Sequence, residues 1–197
     1  MAWAETVSPE EGPGPPDGQK PLSGQLGHKP TCEGIRSLDM PTIEIETLIR
    51  APVELCFDLS VDVDVHQQSV AGTSERAVAG ITSGRMGLGD EVTWEARHLG
   101  RTRRLSSRIT EYERPSRFVD EMVSGPFKSF RHVHTFVATG GGTRMIDGFA
   151  YRSPLGVMGR LADVVFLERY MRRLLEMRNQ HIKAVAEGST YEPTAQG

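Results

Sequence analysis

The chain has 197 residues, of which 38% are hydrophobic and 25% charged, a composition typical of one globular domain. Its formal net charge of −3 excludes the strong positive field expected of a nucleic-acid-binding protein. No apolar run approaches the ~20 residues of a transmembrane helix, and no secretory signal pattern opens the chain, so neither is predicted. The two cysteines, Cys32 and Cys56, have no CxxC partner, which favours a reduced, cytoplasmic protein.

Residues 1–40 differ in composition from the rest of the chain. Proline and glycine are dense there and apolar residues sparse, so this segment is predicted to be a disordered tail. Met40 directly precedes the first patterned segment, and two interpretations stay open: Met40 is the native initiator, or the tail is translated and flexible. We predict one domain over residues 41–188, followed by a short flexible tail over residues 189–197.

The patterned part of the chain opens with one strand and two short helices. Residues 42–50 alternate apolar and polar side chains, which predicts a strand with one buried face. Pro52 suits the first turn of a helix, and residues 53–59 have near-helical apolar spacing. Ser60 is predicted to cap a second short helix that ends at about Ser69.

Short alternating strands dominate the middle of the chain. Turn residues between them, including the run Gly140-Gly141-Gly142, favour antiparallel pairing of consecutive strands. The predicted strands cover residues 75–79, where the pattern is weak, and residues 90–98, 101–112, 117–123, 127–138 and 143–151.

A long amphipathic helix is predicted from just after Gly156 to about Glu187. Asn179 is placed off the centre of its apolar stripe, whereas Glu168 lies near that centre and is expected to pair with Arg172 four residues on. The stripe has helical period and consists of Val157, Leu161, Val164, Met171, Leu175, Ile182 and Val185.

This order of elements, with several local motifs, resembles the START-like superfamily, also called SRPBCC or Bet v 1-like. The closer resemblance is to bacterial polyketide cyclase/dehydrase-like proteins. It implies an α+β helix-grip fold, in which a curved antiparallel sheet wraps the C-terminal helix around a cavity. Because no catalytic signature spans the superfamily, no catalytic residue is carried over. The segments that carry the likeness are TIE (42–44), APVE (51–54), FDL (57–59), GDEVTW (89–94), FRHVHTF (130–136), TRMIDGF (143–149) and PLG (154–156).

Strand parity brings together candidate chemical groups. His132 and His134 share a face with Phe130 and Phe136, and the hairpin turn would set His134 opposite Asp147 on the next strand. A histidine beside a carboxylate can serve as a general base, so these three polar residues are the candidate catalytic set. The remaining predicted ligand-binding residues are Trp94, His98, Met122, Phe130, Phe136, Met145, Phe149, Tyr151, Val164, Glu168, Met171 and Leu175.

Three functions remain open at this point. The first is binding of a hydrophobic or amphipathic molecule such as a lipid, a quinone or a polyketide-like compound. The second is an aromatic polyketide cyclase or dehydratase, and the third a toxin- or ribosome-associated START-like protein. The His132-x-His134 spacing, completed by His98 or Asp147, would suit a metal, but it is common by chance, so no metal and no cofactor is predicted. The oligomeric state stays open.

Overall fold

The structure, a computed structural model, describes residues 41–98, 101–152 and 167–188. The predicted tails, the first part of the predicted long helix with Val164, and the side chain of His98 lie outside this part. Within it, one curved antiparallel sheet has the strand order β1-β7-β6-β5-β4-β3-β2. The strands are β1 Thr42–Ile49, β2 Arg76–Gly80, β3 Glu91–His98, β4 Arg101–Glu113, β5 Arg117–Ser124, β6 Ser129–Thr139 and β7 Gly142–Arg152.

In the described part of the chain, three helices lie against the sheet: α1 Val53–Ser60, α2 Val63–Ser69 and α3 Glu168–Ala186. Helices α1 and α2 follow the first strand and both contact α3, as the helix-grip fold requires. The strand and helix order therefore confirms the predicted α+β helix-grip architecture. No helix in the described residues combines the length and the apolar character needed to cross a membrane.

The cap of α2 differs from the prediction. The carboxylate of Asp62 accepts hydrogen bonds from the backbone nitrogens of Asp64, at 2.9 Å, and Val65, at 3.1 Å. Asp62 is therefore the N-cap, and the assignment of this role to Ser60 was wrong. Ser60 belongs to the last turn of α1, where its hydroxyl donates to the carbonyl oxygen of Cys56 at 2.8 Å.

Helix α3 buries a different set of residues from the predicted stripe. Leu175 and Ile182 are buried as predicted, but Asn179 is fully buried and Val185 is 37% exposed, so the predicted phase was wrong at these two positions. Asn179 follows Leu175 by four residues and precedes Ile182 by three, which places all three on one face. The physical reason for burying an amide there is a carboxylate in the sheet opposite, described below.

The hairpin between β6 and β7 fixes the register that matters for the site. Thr139 pairs with Gly142 across a two-residue turn, and from there His134 faces Asp147. Gly142 has a φ of +140°, and a Cβ built on it would lie 2.1 Å from the carbonyl oxygen of Ile49. Only glycine fits this close approach of two backbone segments.

The apolar core formed by the described residues has two clusters. In the larger one, the ring of Phe57 from α1 packs edge-on against Tyr112, Phe118 and Phe136, with ring centroids 5.2–5.5 Å apart. Such edge-to-face contacts add to the free energy gained from burying apolar area. The smaller cluster lies further along the sheet and consists of Ile43, Phe130, Phe149, Tyr151 and Leu175.

Candidate functional site

Between the two apolar clusters, four ionisable side chains meet in the interior of the sheet. Asp120 comes from β5, His132 and His134 from β6, and Asp147 from β7. The register pairs Asp120 with His132 and His134 with Asp147. The histidines and Asp147 are at most 6% exposed, and the side chain of Asp120 is 19% exposed. Parity therefore places all four on the concave side of the sheet, facing the helices.

The two imidazoles lie between the two carboxylates. Oδ1 of Asp147 is 2.6 Å from Nδ1 of His134 and 3.3 Å from Nε2 of His132. Oδ1 of Asp120 is 3.1 Å from Nε2 of His134 and 3.7 Å from Nδ1 of His132. The contact of Asp120 with His134 is a hydrogen bond, whereas the two contacts of Asp147 Oδ1 are close approaches without hydrogen-bond angles. Each ring thus has one nitrogen facing each carboxylate.

Helix α3 completes the polar cluster from the other side. The amide of Asn179 donates to Oδ2 of Asp147 at 2.6 Å and to the hydroxyl of Thr47 at 3.3 Å. Nη1 of Arg178 is 3.9 Å from Oδ1 of Asp147, while its Nη2 donates to the carbonyl oxygen of Ser60 at 2.9 Å. A buried carboxylate is costly unless it is paired and hydrogen-bonded, and these contacts meet that requirement for Asp147.

The cluster shifts the protonation equilibria of its members. Burial alone would raise the pKa of Asp147, but the contacts with His132 and His134 outweigh it and hold that pKa well below the ordinary value. The pKa of Asp120 is likewise lowered, because its hydrogen bond with His134 and the nearby cationic groups outweigh burial. Burial, and then the charge of His134, lower the pKa of His132 to about 4. At neutral pH both carboxylates are therefore ionised and His132 is neutral.

A cavity of about 80 Å³, partly open to solvent, adjoins this cluster where α1, α2 and α3 meet the sheet. Asp120 and His132 form part of its wall, whereas His134 lies behind them and stacks on Phe118 with centroids 4.1 Å apart. The indole of Trp94 closes another side of the cavity, and its ring centroid lies 4.1 Å from that of the His66 imidazole. The apolar part of the wall consists of Val61, Val63, Met86, Val92, Trp94, Ile109 and Phe118, and the polar part includes Ser60, His66, Ser107, Asp120, His132 and Arg178.

The predicted site residues are distributed over several places in the structure. His132, His134 and Asp147 come together as the sequence predicts, and Trp94 reaches the cavity. Glu168 lies at the start of α3, 3.9 Å from Arg172, as expected for a pair four residues apart. The remaining predicted ligand residues of the described part are in packed apolar regions: Phe136 and Met145 in the larger core cluster, Phe130, Phe149, Tyr151 and Leu175 in the smaller one, and Met122 and Met171 against the latter.

Four residues of the site were not predicted: Asp120, Arg178, Asn179 and His66. Asp120 shares its strand face with Met122, a predicted ligand-binding residue, so the parity of β5 contains a signal for it. Asn179 is in phase with Leu175 and Ile182 on α3, although the sequence prediction places it off the centre of the apolar stripe. His66 and Arg178 carry no such signal, because their roles depend on how the helices contact the sheet.

Comparison with protein families gives one match. Residues 40–187 match the family model described as polyketide cyclase / dehydrase and lipid transport. This range covers the whole of the described structure except its last residue. No curated protein sequence matches the chain.

Several solved structures share the fold. The protein TTHA0849 from Thermus thermophilus is 21% identical, with a TM-score of 0.58 over 74% of this chain and 99% of that one. Ara h 8.0201 is 15% identical, with a TM-score of 0.56 over 76% of this chain and 99% of that one. The major latex-like protein 151 from Panax ginseng is also 15% identical, with a TM-score of 0.56 and coverages of 75% and 97%. At these identities the likeness concerns the fold alone.

Proposed function

We propose that this chain, which belongs to the polyketide cyclase / dehydrase and lipid transport family, binds an amphipathic small molecule between the sheet and the helices. Family and fold are both consistent with ligand binding or cyclase-like chemistry. The observation that carries the proposal is the division of the cavity wall. Trp94 and Val92 line the cavity from β3, whereas Asp120, His132 and Arg178 line it from β5, β6 and α3.

The divided wall favours a flat ligand with polar groups at one end. An aromatic ring can lie against the indole of Trp94, while a carbonyl or hydroxyl group faces the polar side. Arg178 offers a donor to a carbonyl oxygen, and Asp120 an acceptor for a hydroxyl group. A quinone or a phenolic polyketide has this combination, whereas a purely aliphatic chain would desolvate the charged groups without adding a hydrogen bond to them.

The size of the cavity limits what it can enclose. Drug-sized ligands occupy pockets of roughly 300–1,000 Å³, and the cavity measures about 80 Å³. It therefore suits one ring or the polar end of a longer molecule, whose remainder would extend through the open side. Contacts of a ligand with Phe130, Phe149 and Tyr151 would require the smaller apolar cluster to open. These predicted contacts therefore stay in the proposal only for a ligand large enough to separate the side chains of that cluster.

Quenching of Trp94 fluorescence tests the proposal. The chain has two tryptophans, so Trp3→Phe leaves Trp94 as the single reporter in the full-length protein. We expect 1,4-naphthoquinone, a quinone that quenches indole on contact, to quench this emission with a saturating dependence on its concentration. Linear, non-saturating quenching equal to that of free tryptophan would reject binding at the cavity.

A pair of serine variants supplies the matched control. Ser107→Met on β4 would extend a side chain into the cavity, because Ser107 lines it and is buried. Ser106→Met changes the neighbouring residue, whose hydroxyl pairs with Thr93 on the other face of the sheet. The dissociation constant of the quinone should be at least about tenfold higher for the Ser107 variant, a difference of about 1.4 kcal/mol in binding free energy. For the Ser106 variant it should equal that of the wild type.

A second candidate function is acid–base chemistry on the bound molecule. The cluster of Asp120, His132, His134 and Asp147 favours it, since it links a cavity-facing imidazole to two carboxylates. His132 lines the cavity, whereas His134 lies behind it, so His134 suits the orienting role and His132 the proton-transferring one. Either reaction class of the family, ring closure or dehydration, begins with removal of a proton next to a carbonyl group.

Hydrogen exchange at a simple ketone tests this second function. Exchange of the α-protons of 1-tetralone in D₂O, followed by NMR, should be accelerated by the protein, about 100-fold for one positioned base. His132→Gln should abolish the acceleration, and His66→Gln should retain it. If both variants exchange the probe at the same rate, His132 is not the base.

Two further parts of the proposal rest on the sequence. A cytoplasmic location follows from the cysteine pattern and is checked by fractionating cells that express the chain. An association with a toxin or a ribosome is the alternative to ligand binding, and co-sedimentation with ribosomes would favour it.

A further inference from the structure

We infer that Asp120, His132 and His134 form a binding site for one divalent transition-metal ion of the zinc or iron type. Their potential ligand atoms, one from each residue, lie within 4.8 Å of one another. Two imidazoles and one carboxylate are the ligand set of many mononuclear zinc and non-haem iron sites, which leave other coordination positions open. The inference goes beyond the proposed binding of an organic molecule and does not depend on it.

The distances agree with a shared metal. A nitrogen ligand lies about 2.0–2.1 Å from zinc, so two ligand atoms of a tetrahedral ion are about 3.4 Å apart. Oδ1 of Asp120 is 3.1 Å from Nε2 of His134 and 3.7 Å from Nδ1 of His132. These separations bracket the expected one, so small rotations of the side chains would suffice.

The second carboxylate lies where metal-binding histidines usually have a hydrogen-bond acceptor. Asp147 Oδ1 lies beside the nitrogens that do not face Asp120, at 2.6 Å from His134 and 3.3 Å from His132. In the metal-bound form the ring protons would be on these far nitrogens, and the near nitrogens, including the Nε2 of His134 that hydrogen-bonds Asp120 in the metal-free protein, would offer their lone pairs to the ion. Asn179 holds the other oxygen of Asp147 at 2.6 Å, which fixes the orientation of the carboxylate.

Charge and access are also compatible with a cation. The two carboxylates and Arg178 carry a net charge of −1 when both imidazoles are neutral, so a divalent ion changes the local charge to +1. Nη2 of Arg178 donates to the carbonyl oxygen of Ser60, and its Nη1 lies 3.9 Å from Oδ1 of Asp147. Because Asp120 and His132 line the cavity, open coordination positions of the ion would face it. The same lone pair of His132 cannot both hold a metal and accept a proton, so metal binding would compete with the acid–base role.

Cobalt and zinc binding to the full-length, EDTA-treated protein tests the inference. We expect one Co²⁺ per chain, with the d–d absorption bands of a low-coordinate nitrogen–oxygen site, and its displacement by one equivalent of Zn²⁺. In the wild-type protein, ring nitrogen resonances of His132 and His134 should shift on adding Zn²⁺, while that of His181 should not. Binding of less than half an ion per chain, or shifts at other histidines only, would overturn the site.

Variants then assign the ligands. Asp120→Asn and His132→Gln should each weaken Zn²⁺ binding at least about 100-fold, and loss of the supporting carboxylate in Asp147→Asn about 10–100-fold. Glu121→Gln, a change at the next residue of β5, whose carboxylate lies 3.5 Å from Arg131, should bind as the wild type does. Affinities within threefold of the wild type in both ligand variants would reject the assignment. Naphthoquinone titrations are made on metal-free protein, so failure of either proposal leaves the other measurable.

Discussion

The buried amide of Asn179 offers a sharp test of the polar interior. Asn179→Ala removes the donor that lies 2.6 Å from Oδ2 of Asp147 and the weaker donation to Thr47 at 3.3 Å. Asp147 is fully buried, so water cannot replace the lost donor without entering the core.

The expected loss of stability follows from these contacts. A hydrogen bond to a charged group is worth about 1.5–3 kcal/mol, and a neutral one about 1 kcal/mol. Adding the small cavity left by truncation gives a loss of about 3 kcal/mol in the free energy of unfolding. For a domain of this size, that corresponds to a melting temperature about 6–12 °C lower.

Urea unfolding followed by circular dichroism measures this change. Gln180→Ala is the matched control, because the next residue of α3 is exposed and should change stability by less than about 0.5 kcal/mol. A loss below about 1 kcal/mol for Asn179→Ala, close to that of the control, would mean that the carboxylate does not depend on this amide.

Two further predictions concern the scaffold. Gly142→Ala should lower the free energy of unfolding by about 1–3 kcal/mol, because the added Cβ would collide with backbone atoms and the φ is +140°. Gly140→Ala is the control, because a Cβ there would meet no atom within 4 Å. Equal losses of stability in the two variants would contradict this explanation. Asp58 accepts from Arg114 and Arg85 at 2.8 Å each, and the Arg114 hydrogen bond lowers its pKa. The stability that ionised Asp58 adds is complete above its unfolded-state pKa and is lost as the pH falls through the lower folded-state pKa. The loss in free energy of unfolding caused by Asp58→Asn should therefore disappear in acid. A loss that does not change with pH would contradict this.

Most of the fold could be predicted from the sequence because its elements have strong periodicity. The strands from β3 to β7 alternate over many residues, and short turns leave antiparallel pairing as the simple solution. The cap of α2 could not be fixed in this way. Ser60 and Asp62 are both good capping residues, and the choice between them depends on where α1 ends.

In the candidate site, only the residues on the hairpin of β6 and β7 could be predicted to meet. Parity and the Gly140-Gly141 turn suffice to bring His134 opposite Asp147, since both lie close to that turn in the chain. The contribution of Asp120 depends on the register between β5 and β6, and the contribution of Arg178 on how α3 lies across the sheet. Contacts between elements distant in sequence are not determined by local periodicity, and a polar residue in an apolar stripe gains its meaning only from its partner.

The functional account depends on one claim, that the cavity beside Trp94 binds a small-molecule ligand. A crystal structure of the full-length, metal-free protein grown with 1,4-naphthoquinone tests it most directly. The account predicts the quinone ring beside the indole, with a carbonyl oxygen facing His132 or Arg178. Water alone in this cavity, with the quinone bound on the outer surface, would contradict it.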